Sequence, residues 1–440
     1  MEIYENSRNP VLPLNHHFPD SEAHVFSDGK LYLYGSYDVY NSWYCSDILK
    51  VVSTADMKKW EIHDVAMRAE QAVWCWDKSI PRLPGVDWAH PSPFFRSLME
   101  SSVPPVVSDE EHADVMLYAP DAIEKDGKYY LYFCMPDDSE GVAVSDSPVG
   151  PFTNATKIDC GGIDPAVYID KDGQGYYYWG QMRAKAAKLT DDMLAIDKET
   201  IVENIITEEE HFFHEGSSMR RRGDWYYMVY SNMERGKPTS LGYAMGRSPL
   251  GPFEYKGIII DNDGCDPETW NDHGSIEEFG GQWYVFYHRS SRNSRYRRRL
   301  CIEPIYFNED GTINEVKMTS QGAGEPFAPG EIIGAWHQCG LTGKAYLMPG
   351  GDGEKLTNIS AGDTAVFRYV KSDMTYTKAV VRGAGKGKVR IMLDDAEIGC
   401  AEIENGCGEA TLIDTGSGIW TLKLVFEDVN DLELYTIVLE

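Results

Sequence analysis

The 440-residue chain is poor in basic residues, has no cysteine spacing typical of metal sites and contains no long apolar segment. Lys and Arg number 41 against 70 Asp and Glu, which gives a formal net charge of −29. A surface this acidic repels phosphate groups, so neither nucleic acid nor an anionic membrane is expected as a partner. No apolar segment approaches the ~18 residues that a membrane-spanning helix needs.

The nine cysteines are scattered, and none forms the C-x-x-C pair of zinc ribbons and thioredoxin-like proteins. Several lie in apolar segments, as Cys134 does in YYLYFCM, where a free thiol acts as a small hydrophobic side chain. Unpaired thiols indicate a reducing compartment. The first residues, MEIYENSRNPVLPLNHH, lack the basic and apolar regions of a signal peptide. We therefore expect a cytoplasmic protein.

Aromatic residues are abundant, with 27 Tyr and 11 Trp, and they cluster after glycine turns. One pattern recurs: a Gly turn, then a strand rich in aromatics. Measured from the first Gly of each instance, the intervals are 98, 46, 50 and 58 residues. The instances are DGKLYLYGSYD, DGKYYLYFCMPD, DGQGYYYWGQ, GDWYYMVYSN and GQWYVFYHRS.

A period near ~50 residues fits one four-stranded propeller blade per repeat, so the sequence predicts an all-β, five-bladed β-propeller. The first interval is twice as long and holds either an insertion or a missed repeat. A β-sandwich with coincidental hairpins is the alternative. Over residues 323–334 the repeats give way to a linker rich in Gly, Pro and Ala, and residues 335–440 alternate apolar and polar residues as a small β-sandwich does. The predicted domains are therefore a propeller over 1–322, the linker and this sandwich.

A polar residue stands six to nine positions before each turn Gly. In a propeller the first strand of every blade lines the central channel, so equivalent positions converge on one axis. Neighbouring carboxylates raise one another's pKa, which lets one stay protonated while another is ionised, as glycoside hydrolysis requires. Taken singly, an aspartate in an acidic chain is usually a solvated turn residue, and a histidine equally often bonds a core carbonyl. The five residues are Asp20, Asp121, Asp164, Glu215 and His273.

These motifs resemble glycoside hydrolase family 43, five-bladed propeller enzymes that act on arabinose- and xylose-containing polysaccharides. The resemblance covers about residues 9–322 and rests on four motifs in order, which contain Asp20, Asp164, Glu215 and His273: PDSEAHVFSDGKLYLYGS, GIDPAVYIDKDGQGYYYWG, HEGSSMRRRGDWYYMVYS and HGSIEEFGGQWYVFYHR.

The resemblance implies that Asp20 is the general base, Glu215 the general acid and Asp164 the residue that tunes and orients the acid. The implied mechanism is inverting, with the acid and base about 6.5–9.5 Å apart to admit a water. His273 resembles the histidine that holds hydrated Ca²⁺ or a similar cation, and no organic cofactor is expected.

Further residues are expected to contact the sugar. Arg298, in RRRLCIEP, is similar to a substrate-contacting arginine of the family. Asp121 is expected to contact substrate, and the tryptophans of the first long interval can stack on sugar rings or pack within a blade. These are Trp74, Trp76 and Trp88.

The C-terminal segments LTNISAGDTAVFRYV, VRIMLDDAEIG and GIWTLKLVFEDVNDLELYTIVLE resemble a family 6 carbohydrate-binding module. The predicted function is an exo-acting α-L-arabinofuranosidase or β-xylosidase acting on arabinan- or arabinoxylan-derived oligosaccharides. An endo-arabinanase and a non-catalytic sugar-binding propeller are the alternatives.

Overall fold

The computed structural model describes residues 1–40, 43–76, 116–404 and 406–440, and nearly all regular structure in them is β-strand. Five antiparallel sheets follow one another along the chain, and each is one blade. Blade I has the order β1-β5-β4-β3-β2, blades II to IV have four strands in sequence order, and blade V has three.

The strands of blades I and II are β1 (Glu2–Glu5), β2 (Glu22–Val25), β3 (Leu31–Gly35), β4 (Ile48–Thr54), β5 (Lys59–Arg68), β6 (Tyr118–Lys125), β7 (Lys128–Cys134), β8 (Ser139–Ser145) and β9 (Thr153–Gly161). Blades III to V contain β10 (Ala166–Ile169), β11 (Gly175–Trp179), β12 (Arg183–Leu189), β13 (Ile196–Thr207), β14 (Phe213–Arg222), β15 (Trp225–Asn232), β16 (Ser240–Gly246), β17 (Phe253–Asp261), β18 (Ser275–Phe279), β19 (Gln282–Ser291) and β20 (Ser294–Pro304). Short helices connect them at Ala69–Gln71 (3-10), α1 (Val73–Trp76) and α2 (Glu208–His211).

The innermost strands β2, β6, β10, β14 and β18 contact one another in that cyclic order, and β18 returns to β2. The last blade therefore meets the first and closes a ring of five, which confirms the predicted propeller. The long first interval contains an insertion rather than a sixth blade, since blade I ends at Arg68 and blade II begins at Tyr118. Residues 77–115 of this interval, with Trp88, lie outside the described residues.

Five apolar clusters fill the spaces between successive blades, one for each pair. The aromatic strands supply both sides of these spaces because successive side chains on a strand point to opposite faces. In β7, Leu131 and Phe133 pack toward blade I, whereas Tyr132 packs toward blade III. In β11, Tyr177 faces blade II, and Tyr178 faces blade IV. The repeated aromatic pattern therefore reflects strands buried on both faces.

The C-terminal domain is a curled antiparallel sheet of nine strands around its own apolar core, as a β-sandwich-like domain is. A 3-10 helix at Ala335–His337 lies at its start. Two long strands, the sixth and the ninth, pair with each other along most of their length and bend through register shifts. The strands are β21 (Ile333–Gly334), β22 (Gly340–Leu341), β23 (Tyr346–Gly350), β24 (Gly353–Thr357), β25 (Thr364–Ser372), β26 (Lys378–Leu393), β27 (Ala396–Ile403), β28 (Cys407–Thr411) and β29 (Gly418–Leu439).

The segment predicted as a linker runs along this domain. Phe327 forms a parallel bridge with Val370, and β21 pairs with β29. The domain also reaches the propeller, because Leu341 N–H donates to the Gly264 carbonyl at 2.6 Å. The eight cysteines whose side chains are described are free thiols. Within the described part of the chain, no helix is long and apolar enough to cross a bilayer.

Candidate active site

A pocket of about 750 Å³, counted to its open mouth, lies at one end of the propeller channel. Asp20, Asp164 and His273 each stand two residues before an inner strand, and Glu215 lies within β14. Their side chains therefore meet where the five inner strands converge. The described lining is Asp20, Trp43, Tyr44, Cys45, Tyr118, Ala119, Met135, Pro136, Asp138, Ile163, Asp164, Gln181, Glu215, Trp270, Asn271, His273 and Arg298.

Asp20 is buried and paired with a guanidinium. Arg298 Nη1 donates to Asp20 Oδ1 at 2.7 Å. The same guanidinium donates from Nε and Nη2 to the two oxygens of Asp38, at 3.0 and 2.9 Å, which fixes its orientation. Burial alone would raise the pKa of Asp20, but the positive charge of Arg298 outweighs it and lowers the pKa. Asp20 is therefore ionised at neutral pH.

The pKa of Asp164 is shifted in the opposite direction, so this side chain holds its proton more strongly than an ordinary aspartate. Burial, followed by the nearby charges of Glu215 and Asp20, raises the pKa of Asp164 well above its ordinary value. Its backbone has a φ of 56°, as does that of Asp20. The left-handed region is costly for residues other than glycine and concentrates at functional sites. Both carboxylates are thus held toward the pocket by backbone conformations that strands do not use.

Glu215 lies on an irregular part of β14, where the pairing register with β15 shifts on either side of it. Such bulges redirect a side chain. Gln181 Nε2 donates to Glu215 Oε2 at 2.8 Å, and Asn271 Nδ2 approaches Oε1 at 3.5 Å. The next residue, Gly216, has a φ of 71°, and a Cβ there would lie 2.8 Å from the His273 ring. Only glycine fits this close approach without displacement of the ring.

His273 lies between the carboxylates, with Nδ1 at 3.8 Å from both Asp20 Oδ1 and Asp164 Oδ2. Burial lowers its pKa in spite of the acids around it, so the ring is neutral at pH 7 and retains a lone pair for a ligand. The neutral imidazole and the two acidic side chains beside it offer ligand atoms that fit a hydrated cation.

Asp121 lies in a second layer of the channel and is not among the described residues that line the pocket. It accepts from His24 Nε2 at 2.6 Å and from Val167 N–H at 2.7 Å. Glu22 lies in the same layer, and its Oε2 accepts from Ser218 and Arg220. The ligand atoms of Glu22, His24 and Asp121 lie within 4.8 Å of one another. Together, Glu22, His24 and Asp121 form a buried group of side chains that could hold a metal ion, and the contact of Asp121 with substrate stays a prediction.

Trp74 is buried against Phe133 and donates from Nε1 to Ser139 Oγ at 3.0 Å. Of the two alternatives for this residue, sugar stacking and packing within the propeller, the structure shows packing. The side chain of Trp76 lies outside the described residues. Among the described residues, the pocket walls instead contain four aromatic residues that were not singled out in the sequence: Trp43, Tyr44, Tyr118 and Trp270.

Several polar residues of the site also escaped the sequence reasoning. Asp38 and Gln181 are the last residues of the first and third repeat segments, and Asn271 lies in the connection before β18. Residues 297–299 are three consecutive arginines, and the sequence alone does not show which of them reaches the site. The structure shows it. Arg298 faces the pocket, whereas Arg299 contacts Glu354 in the C-terminal domain.

Comparison with known proteins matches residues 100–313 to the model of glycosyl hydrolases family 43. Over 69% of this chain and 97% of the relative, the sequence is 32% identical to xylosidase/arabinosidase 43A of Humicola insolens. The chain belongs to glycosyl hydrolase family 43. It is also 29% identical, over 86% of both chains, to a xylosidase/arabinosidase of Thermoclostridium stercorarium.

This family 43 enzyme is also similar to a solved structure. The GH43 β-xylosidase/α-arabinofuranosidase CoXyl43, from a compost microbial metagenome, superimposes with a TM-score of 0.54 at 28% identity, over 72% of this chain and 98% of CoXyl43. That structure is a calcium-free form in complex with xylotriose. The predicted family and its class, a glycoside hydrolase of the xylosidase/arabinofuranosidase type, are confirmed. The likeness of the C-terminal domain to a family 6 carbohydrate-binding module stays a prediction.

Proposed function

We propose that this family 43 enzyme releases terminal xylose or arabinofuranose from arabinoxylan- or arabinan-derived oligosaccharides, with inversion at the anomeric carbon. The relatives named xylosidase/arabinosidase and the xylotriose complex of CoXyl43 support the sugar class. The observation that carries the mechanism is that Asp20, paired with Arg298, and Glu215, held by the Gln181 amide, line one pocket. Short oligosaccharides suit the cytoplasmic location that we propose.

Asp20 is the general base. Its carboxylate remains ionised because the positive charge of Arg298, at 2.7 Å, stabilises the negative charge. An ionised carboxylate can take a proton from water as the water attacks the anomeric carbon. The guanidinium is itself held by Asp38, so Asp20 keeps a fixed direction through the reaction. Arg298 is therefore proposed mainly as a positioning residue for the base, in addition to its predicted contact with the sugar.

Glu215 is the general acid, and it donates its proton to the glycosidic oxygen as the bond breaks. The groups that contact it are the Gln181 and Asn271 amides and the imidazole of His214, in contrast to the guanidinium at Asp20. Asp164 lines the same pocket as Glu215, and the charge of Glu215 is one cause of the raised pKa of Asp164. We propose that Asp164 orients the acid and tunes its proton affinity. A second proton-holding carboxyl beside the acid also limits the negative charge that the pocket must accommodate.

His273 is the proposed ligand of a hydrated Ca²⁺ or similar ion. Ca²⁺ takes six to eight oxygen ligands, so waters would complete its shell beside one imidazole. When bound, the ion would supply positive charge among three carboxyl groups. Asp20 and Asp164, both 3.8 Å from His273 Nδ1, are the acids that its charge would stabilise.

The acid and base can be distinguished by the leaving group of the substrate. Glu215→Gln should lower kcat/KM on xylobiose by about 10²–10⁴-fold because an amide cannot donate the proton. The loss on p-nitrophenyl xyloside should be at least about ten-fold smaller, since nitrophenolate leaves with little protonation. Asp20→Asn should lower the activity on both substrates alike, because every substrate needs the activated water.

Equal losses on both substrates in the Glu215→Gln variant would contradict the acid assignment. Circular dichroism of each variant verifies that the propeller is intact. Parallel assays on p-nitrophenyl arabinofuranoside and on linear arabinan establish the sugar preference and the exo or endo mode.

A further inference from the structure

A buried carboxylate of the C-terminal domain contacts the blade that carries Arg298. Glu354, on β24, is 1% exposed. Its Oε1 accepts from Arg292 Nε at 3.1 Å and also from Arg299 Nη2. Both arginines belong to the hairpin of β19 and β20 in blade V. One oxygen of a single side chain thus joins the two domains at two points.

The hairpin that these arginines occupy is tightly constrained. Arg292 and Asn293 form its two-residue turn with φ values of 62° and 52°. Two successive left-handed residues are typical of a type I′ turn, where arginine is an uncommon choice. The contact with Glu354 fixes the Arg292 side chain at this turn. Asn293 N–H donates to Asp266 at 3.0 Å and holds the other half of the turn.

On β20, the arginine that contacts Glu354 is next to an arginine that lines the pocket. Arg299 and Arg298 are neighbours on β20, so their side chains point to opposite faces of the strand. Arg299 faces Glu354, and Arg298 faces Asp20. A shift of β20 at Arg299 therefore moves the guanidinium that orients the base.

A second route runs through the segment that leads to Asp20. Arg292 Nη2 donates to the carbonyl of Leu14 at 3.1 Å, and Arg299 Nη2 approaches the same oxygen at 3.5 Å. Leu14 precedes Asp20 by six residues. Through its two arginine partners, Glu354 is therefore linked both to the strand that carries Arg298 and to the segment that leads to Asp20.

We propose that Glu354 is a positioning residue for the active site, through which the C-terminal domain sets the geometry of Asp20 and Arg298. The proposal rests on the proposed role of Asp20 as base. A role in domain attachment alone is the competing explanation. The salt bridge between Arg8 and Glu331, 2.8 Å long, also links the propeller to the segment beside the C-terminal sheet, but neither residue lines the described pocket. It supplies a control that breaks a more exposed salt bridge between the same two parts of the chain.

The test compares Glu354→Ala, Glu354→Gln and Glu331→Ala in the full-length chain, with kinetics measured well below each melting temperature. Glu354→Ala should lower kcat by about ten-fold, with KM within about three-fold, because small displacements of catalytic groups are costly. Both arginine hydrogen bonds converge on Oε1, so the isosteric Gln can accept them. Glu354→Gln should therefore restore most of kcat while still lowering the melting temperature. Glu331→Ala should affect the melting temperature alone.

An unchanged kcat in Glu354→Ala would overturn the proposal and leave only domain attachment. Equal loss of kcat in the Ala and Gln variants, or the same loss in Glu331→Ala, would also overturn it. Near-UV circular dichroism corrects kcat for the folded fraction. Wild-type turnover reports on the proposed function, and the ratios between variants report on Glu354, so the two can fail separately. An inactive wild-type enzyme would overturn both.

Discussion

Single residues in the pocket differ in protonation because their neighbours differ. Asp20 has a guanidinium at 2.7 Å and a lowered pKa, whereas burial and carboxylate neighbours raise the pKa of Asp164. The imidazole between them is kept neutral by burial. The pocket thus holds an ionised Asp20 beside a proton-holding Asp164 and a neutral His273.

The cation proposal can be tested at His273. After treatment with a chelator, millimolar Ca²⁺ should raise the melting temperature of the wild-type enzyme by a few degrees, because a ligand that binds only the folded state stabilises it. His273→Ala should lose this response. His63→Ala, a histidine remote from the pocket that contacts Ser53, should keep it. No metal by elemental analysis and no shift in the wild-type enzyme would contradict the proposal.

The sequence pattern indicated most of this site because position along an inner strand determines depth in the channel. Asp20, Asp164, Glu215 and His273 stand eight or nine residues before their turn glycines, counted to the first Gly of each repeat, and all four line the pocket. Asp121 stands only six residues before its turn glycine. Its position matches those of Glu22 and His24, which stand seven and five residues before the turn glycine of the first repeat. At about 3.3 Å per residue this difference places Asp121 roughly one layer deeper.

Among the elements, the contact between β18 and β2 has a special role because it closes the ring without a covalent link. Ser275 Oγ accepts from Ala23 N–H at 3.0 Å and donates to the Ser21 carbonyl at 2.9 Å. Ser21 also forms a parallel bridge with Gly274. One buried hydroxyl therefore joins the last blade to the strand that follows Asp20.

Loss of this hydroxyl should weaken the ring. Ser275→Ala leaves the buried Ala23 N–H without its partner, which should lower the free energy of unfolding by about 1–3 kcal/mol. Ser290→Ala is the matched control, since Ser290 is equally buried in blade V and its hydroxyl has no hydrogen-bond partner among the described residues. Chemical denaturation measures both, and an equal effect of the two substitutions would contradict the bridging role of Ser275.

The blades were predictable because each repeat encodes a strand buried on both faces, as in YYLYFC. The C-terminal strands were predictable in kind but not in extent. KAVVRG and KVRIML each alternate apolar and polar residues and have glycines between them, yet they form the single strand β26. The intervening glycines permit a bend with shifted register instead of a turn. Local sequence does not distinguish these outcomes, because the partner strand β29 decides between them.

For the whole molecule, the C-terminal domain is a structural partner of the propeller. Cys339 packs into the apolar cluster between blades IV and V. Gln338 Nε2 donates to the Cys265 carbonyl at 2.7 Å, and Arg289 donates back to the Gln338 carbonyl. No sequence pattern indicated these contacts, since they depend on how two separate domains meet.

The central claim, inverting hydrolysis by this pocket, is tested most directly by the anomer that is released first. Proton NMR of wild-type enzyme acting on a β-xyloside should show α-xylose before mutarotation, because the water that Asp20 activates attacks the face opposite the leaving group. β-Xylose as the first product would show retention and would contradict the assignment of Asp20 as general base.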